Sequence, residues 1–259
     1  MINIGLAGSS GKMGCQIASE IALDPSVYSL TQALISKTAT INATLQSTAQ
    51  ELIHNANAFK NIDVIIDFSN PSLTLDILPY AIKNRTPIVI GTTGFNSDEV
   101  SAIHECAKTI PLLISPNMSL SVNLLFKLTS LVADKLPTFE TEIIETHHRY
   151  KKDAPSGTAL KIGEMIAKAR DLDFATHAKY TRFGKDLTRQ PQDIGFAVVR
   201  GGDIVGEHEV QFMANGEVLS LKSSLTNRSS FALGALSAAN FLVQQEPGLY
   251  SMFDVLNLD

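Results

Sequence analysis

Short apolar runs alternate with amphipathic stretches through the first 120 residues. Ile2–Ala7 is an apolar run of strand length, and the segment that follows to Leu23 carries apolar residues at helical spacing. Tyr28–Ile35 reads as a second strand and Asp63–Asp67 as a continuous apolar strand of the parallel-sheet type; Pro87–Gly91 and Pro111–Ser115 follow the same pattern. Helices are predicted from Pro71 to Lys83 and from about Asp98 to Lys108. Strands alternating with helices in this way specify an α/β fold, a doubly wound, Rossmann-type parallel sheet. Residues 39–60 are rich in Thr, Asn, Gln and Ala and predict only a short helix near Thr48 to Asn55.

The pattern changes after Ser119. A long apolar helix to about Leu136 leads to a β-branched strand at Thr141–Thr146 and a helix over Leu160–Ala169. A polar stretch from Asp171 to Asp193 precedes a strand at Ile194–Arg200, and Gly201, Gly202 and Asp203 then interrupt the chain. Strands at Ile204–Met213 and Glu217–Thr226 flank Asn215 and Gly216, a strong hairpin signal. This predicts a second α+β domain on a mixed sheet, followed by an amphipathic helix from Ser230 to Gln244 and an apolar tail, Leu249–Leu258, that returns to the first domain. The expected division is 1–118, 119–228 and 229–259.

Composition narrows the function classes. The chain has 259 residues, 44% hydrophobic and 18% charged, with a formal net charge of −5, which argues against a general nucleic-acid partner. Any anionic ligand must be drawn by a local patch. Cys15 and Cys106 lack metal-ligand spacing, and no metal site is expected. Neither a signal-peptide pattern at the start nor a run of membrane-spanning length is present in the sequence, so the expected location is the cytoplasm, with no membrane partner.

Two stretches carry the chemistry. Gly8, Gly11 and Gly14 follow the first strand and open a helix, a spacing that lets the backbone turn tightly and approach a pyrophosphate at the helix N-terminus. The second strand ends in Ser36 and Lys37, where an NAD-binding fold places a carboxylate on the ribose hydroxyls; its absence and the Lys37 charge favour NADPH, with NADH possible. The other stretch runs from Thr146 to Ala159 (THHRYKKDAPSGTA) and joins a strand to a helix. Pro155 suits a first helical turn, which would leave the N–H groups of Gly157 and Thr158 pointing outward at the positive end of the helix dipole. With Arg149, Lys151 and Lys152 alongside, that is a site for a carboxylate or phosphate, and either His147 or His148 can move a proton beside it. A solvated basic turn with a helix cap is the competing interpretation.

The chain resembles the 4-hydroxy-tetrahydrodipicolinate reductase (dihydrodipicolinate reductase) family. The resemblance rests on Gly8 to Gly14, Asp63 to Ser69 (DVIIDFS), Gly91 to Phe95 (GTTGF), Glu145 to Thr158 and Arg200 to His208 (RGGDIVGEH), in order along nearly the whole chain. It implies a cofactor domain, a substrate domain that also assembles a homotetramer, and hydride transfer from NAD(P)H to a small cyclic dicarboxylate in the diaminopimelate and lysine pathway. By motif position, His147 would be the general acid/base and Lys151 the proton donor, while His148, Gly157 and Thr158 would hold substrate carboxylates. The cofactor would lie against Gly8, Ser9, Ser10, Gly11, Lys12 and Met13, against Gly91, Thr92 and Thr93, and against Ser115, Pro116, Asn117 and Met118. Two other functions share parts of the pattern. Another NADP-dependent dehydrogenase of amino-acid metabolism would differ in substrate, whereas a non-catalytic dinucleotide sensor would keep the glycine turn but have no use for His147 and Lys151 together.

Overall fold

The computed structural model describes residues 1–35, 49–51 and 59–258. Ser36 and Lys37 lie outside the described residues, as does most of the 39–60 stretch. The chain divides into two compact units, one made of Met1–Leu120 with Arg228–Asp259 and the other of Ser121–Asn227.

The first unit begins with β1 (Ile2–Ala7), α1 (Lys12–Leu23), β2 (Tyr28–Ile35), β3 (Ala49–Glu51) and β4 (Val64–Asp67). It continues through α2 (Pro71–Asn84), β5 (Ile88–Ile90), α3 (Ser97–Cys106) and β6 (Pro111–Ile114). Ala49–Glu51 is thus a strand, not part of the short helix expected near Thr48 to Asn55. It pairs in parallel with the end of β2, Leu34 opposite Gln50, and this edge pairing overrides a weak local propensity. Helix α4 (Leu120–Lys135) leads into the second unit, which adds β7 (Glu140–His147), α5 (Gly157–Ala169), α6 (Phe174–His177), β8 (Ala178–Lys179), β9 (Ile194–Arg200), β10 (Gly206–Ala214) and β11 (Glu217–Leu225). The chain returns to the first unit as α7 (Ser229–Leu242), β12 (Gly248–Tyr250) and α8 (Met252–Val255).

The strands of the first unit form a seven-stranded sheet in the order β12-β6-β5-β4-β1-β2-β3, every neighbouring pair parallel. Strand order reverses between β1 and β4, and in such sheets the carboxyl ends beside that reversal form the ligand crevice. Strand β4 shows why the sequence reads as an unbroken apolar run. Val64 and Ile66 face a core shared with Ile17 and Ile21 of α1 and Ala235 and Ala239 of α7, while Ile65 faces Ile77 and Leu78 of α2 and Ile103 of α3. Each of these fully buried isoleucines contributes roughly 1.5–3 kcal/mol. Helix α2 is stopped at both ends by local chemistry: Asn70 accepts the Leu73 N–H beside Pro71, and Arg85 ends it in the left-handed region at φ 52°. The apolar tail does more than cover a face, since Gly248–Tyr250 adds an edge strand beside β6.

The second unit carries a five-stranded mixed sheet in the order β11-β10-β7-β9-β8. The hairpin between β10 and β11 turns at Asn215 and Gly216, with Gly216 at φ 86°. Central strand β7 alternates strictly, burying Thr141, Ile143, Glu145 and His147 on one face. Two ionisable side chains therefore occupy positions that the alternation reserves for the core, a local conflict of the kind that marks functional sites. Register supplies their neighbours: His147 lies opposite Arg200 of β9, and Glu145 lies opposite His208 of β10.

Candidate active site

Strand β7 ends at His147, so the two imidazoles separate there. His147 stays on the core face behind Glu145, while His148 turns out and its Nδ1 accepts the Tyr150 N–H at 3.2 Å. Backbone bonds hold the turn against the loop after β9: His147 O accepts Gly201 N–H at 3.0 Å, and His148 N–H donates to Ile204 O at 2.8 Å.

Glu145 is 1% exposed and is the hub of the site. Its Oε2 accepts His147 Nδ1 at 2.5 Å and Arg200 Nη1 at 2.8 Å; its Oε1 accepts Arg200 Nη2 at 2.7 Å and the Ser156 N–H at 3.0 Å. Burial pushes the Glu145 carboxyl up, but Arg200, His147 and the Ser156 N–H outweigh it, and the group stays below the usual carboxylate range. Burial pushes His147 down; the adjacent carboxylate opposes this, Lys151 and Arg200 add to it, and the ring titrates below the usual histidine value. At neutral pH in the free protein, its contact with Glu145 is therefore a hydrogen bond from Nδ1–H and not an ion pair. His208, ring to ring with His147 at 5.1 Å, is pushed down to about 4 by burial and by the neighbouring His147. Its Nε2 meets Ser156 Oγ at 3.1 Å.

The helix opening differs from expectation in one respect. Pro155 lies before α5 and not in its first turn, because Ser156 is the cap: its Oγ accepts the Ala159 N–H at 3.2 Å, and its extended backbone (φ −67°, ψ 153°) starts the helix at Gly157. Lys151 is a partly buried cation whose Nζ meets Asp153 Oδ2 at 2.9 Å. Lys151 lies in the turn between the His147 strand end and the start of α5, where Gly157 is exposed and Thr158 half-buried. Arg149 and Lys152 are exposed. Arg200 Nη2 also donates to Asp153 O at 2.7 Å, so one guanidinium ties the strand to the turn. Sequence reasoning did not single out Glu145, Asp153, Ser156, Arg200 or His208 for roles; the available signal was a Glu two residues before a His on one strand face.

The candidate cofactor residues of the first unit gather at the carboxyl ends of its strands. Gly8 follows β1 at φ 73°, and a Cβ there would run into the Phe68 carbonyl at the end of β4. Gly11 opens α1 in an extended conformation and has no side chain to cap it, Lys12 is exposed, Met13 packs partly into the core and Ser10 is half-buried in the turn. Ser9 is fully buried, and both its N–H and its hydroxyl point at Leu34 O, at 3.1 and 2.6 Å; its side chain ties the turn to β2. Gly91 donates its N–H to Asp67 O at 2.8 Å, and the Phe68 ring fills the space where a Cβ would stand. Thr92 is buried with its Oγ1 on Asp67 Oδ2 at 2.9 Å, whereas Thr93 is exposed. Ser115 Oγ donates to Asn117 O at 2.8 Å, Pro116 is exposed and the Met118 side chain belongs to the core. A tight glycine turn, an uncapped helix N-terminus and backbone loops at the sheet reversal fit a dinucleotide.

Asp67 itself is a second buried carboxylate, overlooked in the apolar run. It accepts Ser69 Oγ and Thr74 Oγ1 at 2.5 Å each and Thr92 Oγ1 at 2.9 Å. Burial raises its pKa, and these hydroxyls offset that only in part. Among the described residues no group of His, Cys, Asp and Glu is arranged to hold a metal ion, and no helix is long and apolar enough to cross a membrane.

Comparison with known proteins agrees over the full length. Residues 2–118 match the family model for the N-terminus of dihydrodipicolinate reductase, and residues 121–256 match the model for its C-terminus. The 4-hydroxy-tetrahydrodipicolinate reductase of Nitrosomonas eutropha is 42% identical over 100% of this chain and 99% of its own, and that of Campylobacter concisus is 41% identical over 100% of both. Among solved structures, a dipicolinate-bound dihydrodipicolinate reductase from Paenisporosarcina sp. TG-14 superposes with a TM-score of 0.81 at 26% identity, covering 98% of each chain. Fold, motifs and full-length similarity coincide, and the chain belongs to the dihydrodipicolinate reductase family.

Proposed function

We propose that the protein reduces 4-hydroxy-tetrahydrodipicolinate to tetrahydrodipicolinate with NAD(P)H, in the diaminopimelate and lysine pathway. The observation that carries this reading is the β7–α5 turn, where a buried imidazole, a lysine and a helix N-terminus share one short stretch of chain. A cyclic dicarboxylate needs anion donors at fixed separation, and Lys151, His148 and the N–H groups of Gly157 and Thr158 are donors of that kind. The Asp153 carboxylate already uses one of them, Lys151, which supports its capacity to hold an anion.

The backbone of Gly8–Met13, Gly91–Thr93 and Ser115–Met118 would hold the dinucleotide, which would supply the hydride. Lys37 and the missing carboxylate after β2 support NADPH as a substrate at least as good as NADH. As charge develops on the substrate ring, Lys151 stabilises it and His147 exchanges the proton. The assembly proposed is a homotetramer, and the location is the cytoplasm.

The test is NADPH oxidation with freshly generated 4-hydroxy-tetrahydrodipicolinate. Turnover is expected, with competitive inhibition by pyridine-2,6-dicarboxylate. His147→Gln should lower kcat by about a hundredfold with a modest change in KM. Absence of turnover in the wild-type protein, or near-normal turnover in a folded His147→Gln variant, would overturn the assignment.

A further inference from the structure

Glu145 has no freedom to turn. Each of its oxygens accepts two donors, all four contacts fall between 2.5 and 3.0 Å, and the contact with His147 requires the ring proton on Nδ1. The other ring nitrogen faces Gly206. A Cβ at position 206 would stand 3.0 Å from His147 Nε2, and its three nearest atoms would all be those of the His147 ring. Gly206 is not among the glycines with positive φ, so its backbone does not demand glycine; a side chain there would instead cover Nε2.

We infer that Glu145, clamped by Arg200, is a positioning residue that commits Nδ1 of His147 to a hydrogen bond and leaves Nε2, kept uncovered by Gly206, as the nitrogen that passes the proton. The role of Nε2 in turnover rests on the proposed reaction, whereas the fixed tautomer does not. The reaction replaces a ring C–OH by C–H: a hydride arrives from the dinucleotide, one proton is consumed and the hydroxyl departs as water. Nε2–H supplies that proton, and the neutral Nδ1–H ring is recharged from solvent.

The charged and titratable groups facing His147 are Glu145 from its own strand, Arg200 from β9, His208 from β10 and Lys151 from the turn. Of these, Glu145 alone favours the imidazolium; Lys151 and Arg200 oppose it. Replacing the carboxylate by an amide therefore lowers the pH at which Nε2 holds its proton, by about one unit or more.

The experiment combines imidazole 15N NMR of the full chain at pH 8 with the pH dependence of kcat. The expected wild-type spectrum shows His147 as the Nδ1–H tautomer, and Glu145→Gln shows a mixture. In that variant kcat falls about tenfold or more, its alkaline limb moves to lower pH by about one unit, and the Kd for pyridine-2,6-dicarboxylate changes less than about threefold. Gly206→Ala keeps the Nδ1–H tautomer and loses kcat by a similar factor with the limb unmoved. If Glu145→Gln does not fold, the wild-type tautomer and Gly206→Ala carry the test. An Nε2–H tautomer in the wild type, an unshifted limb in folded Glu145→Gln, or wild-type kcat in Gly206→Ala would overturn the inference. A wild-type protein without turnover would overturn the proposed reaction and leave the tautomer result standing.

Discussion

Asp67 and Glu145 are both buried near the carboxyl ends of central strands, yet the two units treat them in opposite ways. Asp67 is held by neutral donors, the hydroxyls of Ser69, Thr74 and Thr92 and one backbone N–H. Glu145 is held by a guanidinium, an imidazole and a backbone N–H. Hydroxyls satisfy a carboxylate without neutralising it, so burial wins and Asp67 titrates high; a bidentate arginine reverses the balance and Glu145 titrates low. The linkage signs follow. Asp67 has its raised pKa in the folded state, so the stability it contributes is present below its unfolded value and is lost as pH rises through the folded one. Glu145 contributes stability above its unfolded value and loses it as pH falls through the folded one. One carboxylate pins loops; the other accepts from a histidine and an arginine.

The sharpest way to break the comparison is Arg200→Met. It converts Glu145 into a carboxylate with neutral partners only, like Asp67 but without three hydroxyls. Urea denaturation should show a loss of roughly 3–5 kcal/mol, because an uncompensated buried charge remains. A loss below 1 kcal/mol would mean that solvent reaches Glu145 freely.

Next in size is the pH dependence that the second unit owes to His208. Its folded pKa of about 4 lies below the unfolded value of 6.5, so its contribution is complete above 6.5 and is lost as pH falls toward 4, about 3 kcal/mol in all. His208→Gln should flatten the stability profile between pH 6.5 and 4, measured by urea midpoints. An unchanged slope in a folded variant would place the acid sensitivity elsewhere.

The smallest effect belongs to Asp67→Asn, which keeps the shape but turns one acceptor into a donor facing hydroxyls or an N–H. A loss of roughly 1–3 kcal/mol is expected from the unsatisfied contacts. The affinity for NADPH should fall with it, read by fluorescence titration, because the Asp67 carboxylate fastens both Ser69, beside the Gly8 turn, and Thr92. Unchanged stability and affinity would remove Asp67 as the pin.

Much of this was legible in the sequence because its periods are strong. The β4 run, the glycine turn before α1 and the Asn215–Gly216 hairpin follow from spacing alone; the Thr146–Ala159 cluster stood out by density, and the family resemblance picked His147 and Lys151 from it. The surroundings of Glu145 did not, since Arg200 bonds it and His208 lies opposite it only through the registers of β9 and β10 against β7, which residue spacing cannot reveal. Ser156 was hidden for a different reason. Pro155 and Ser156 both suit a helix start, and only the backbone at Ser156 shows which of them is the cap. Ala49–Glu51 shows the limit of local signal, because its strand character comes from the β2 edge it joins.

The second unit is inserted within the first, which the chain leaves at Leu120 and re-enters at Arg228. Ala232, Ala235, Leu236, Ala239 and Leu242 of the late-arriving α7 fill the core against β1 and β4, and β12 closes the edge beside β6. On a ribosome, then, the nucleotide half begins first and finishes last. Its apolar sheet face waits uncovered while the inserted half is made, and a truncation that reaches α7 or β12 strikes the unit that was begun first.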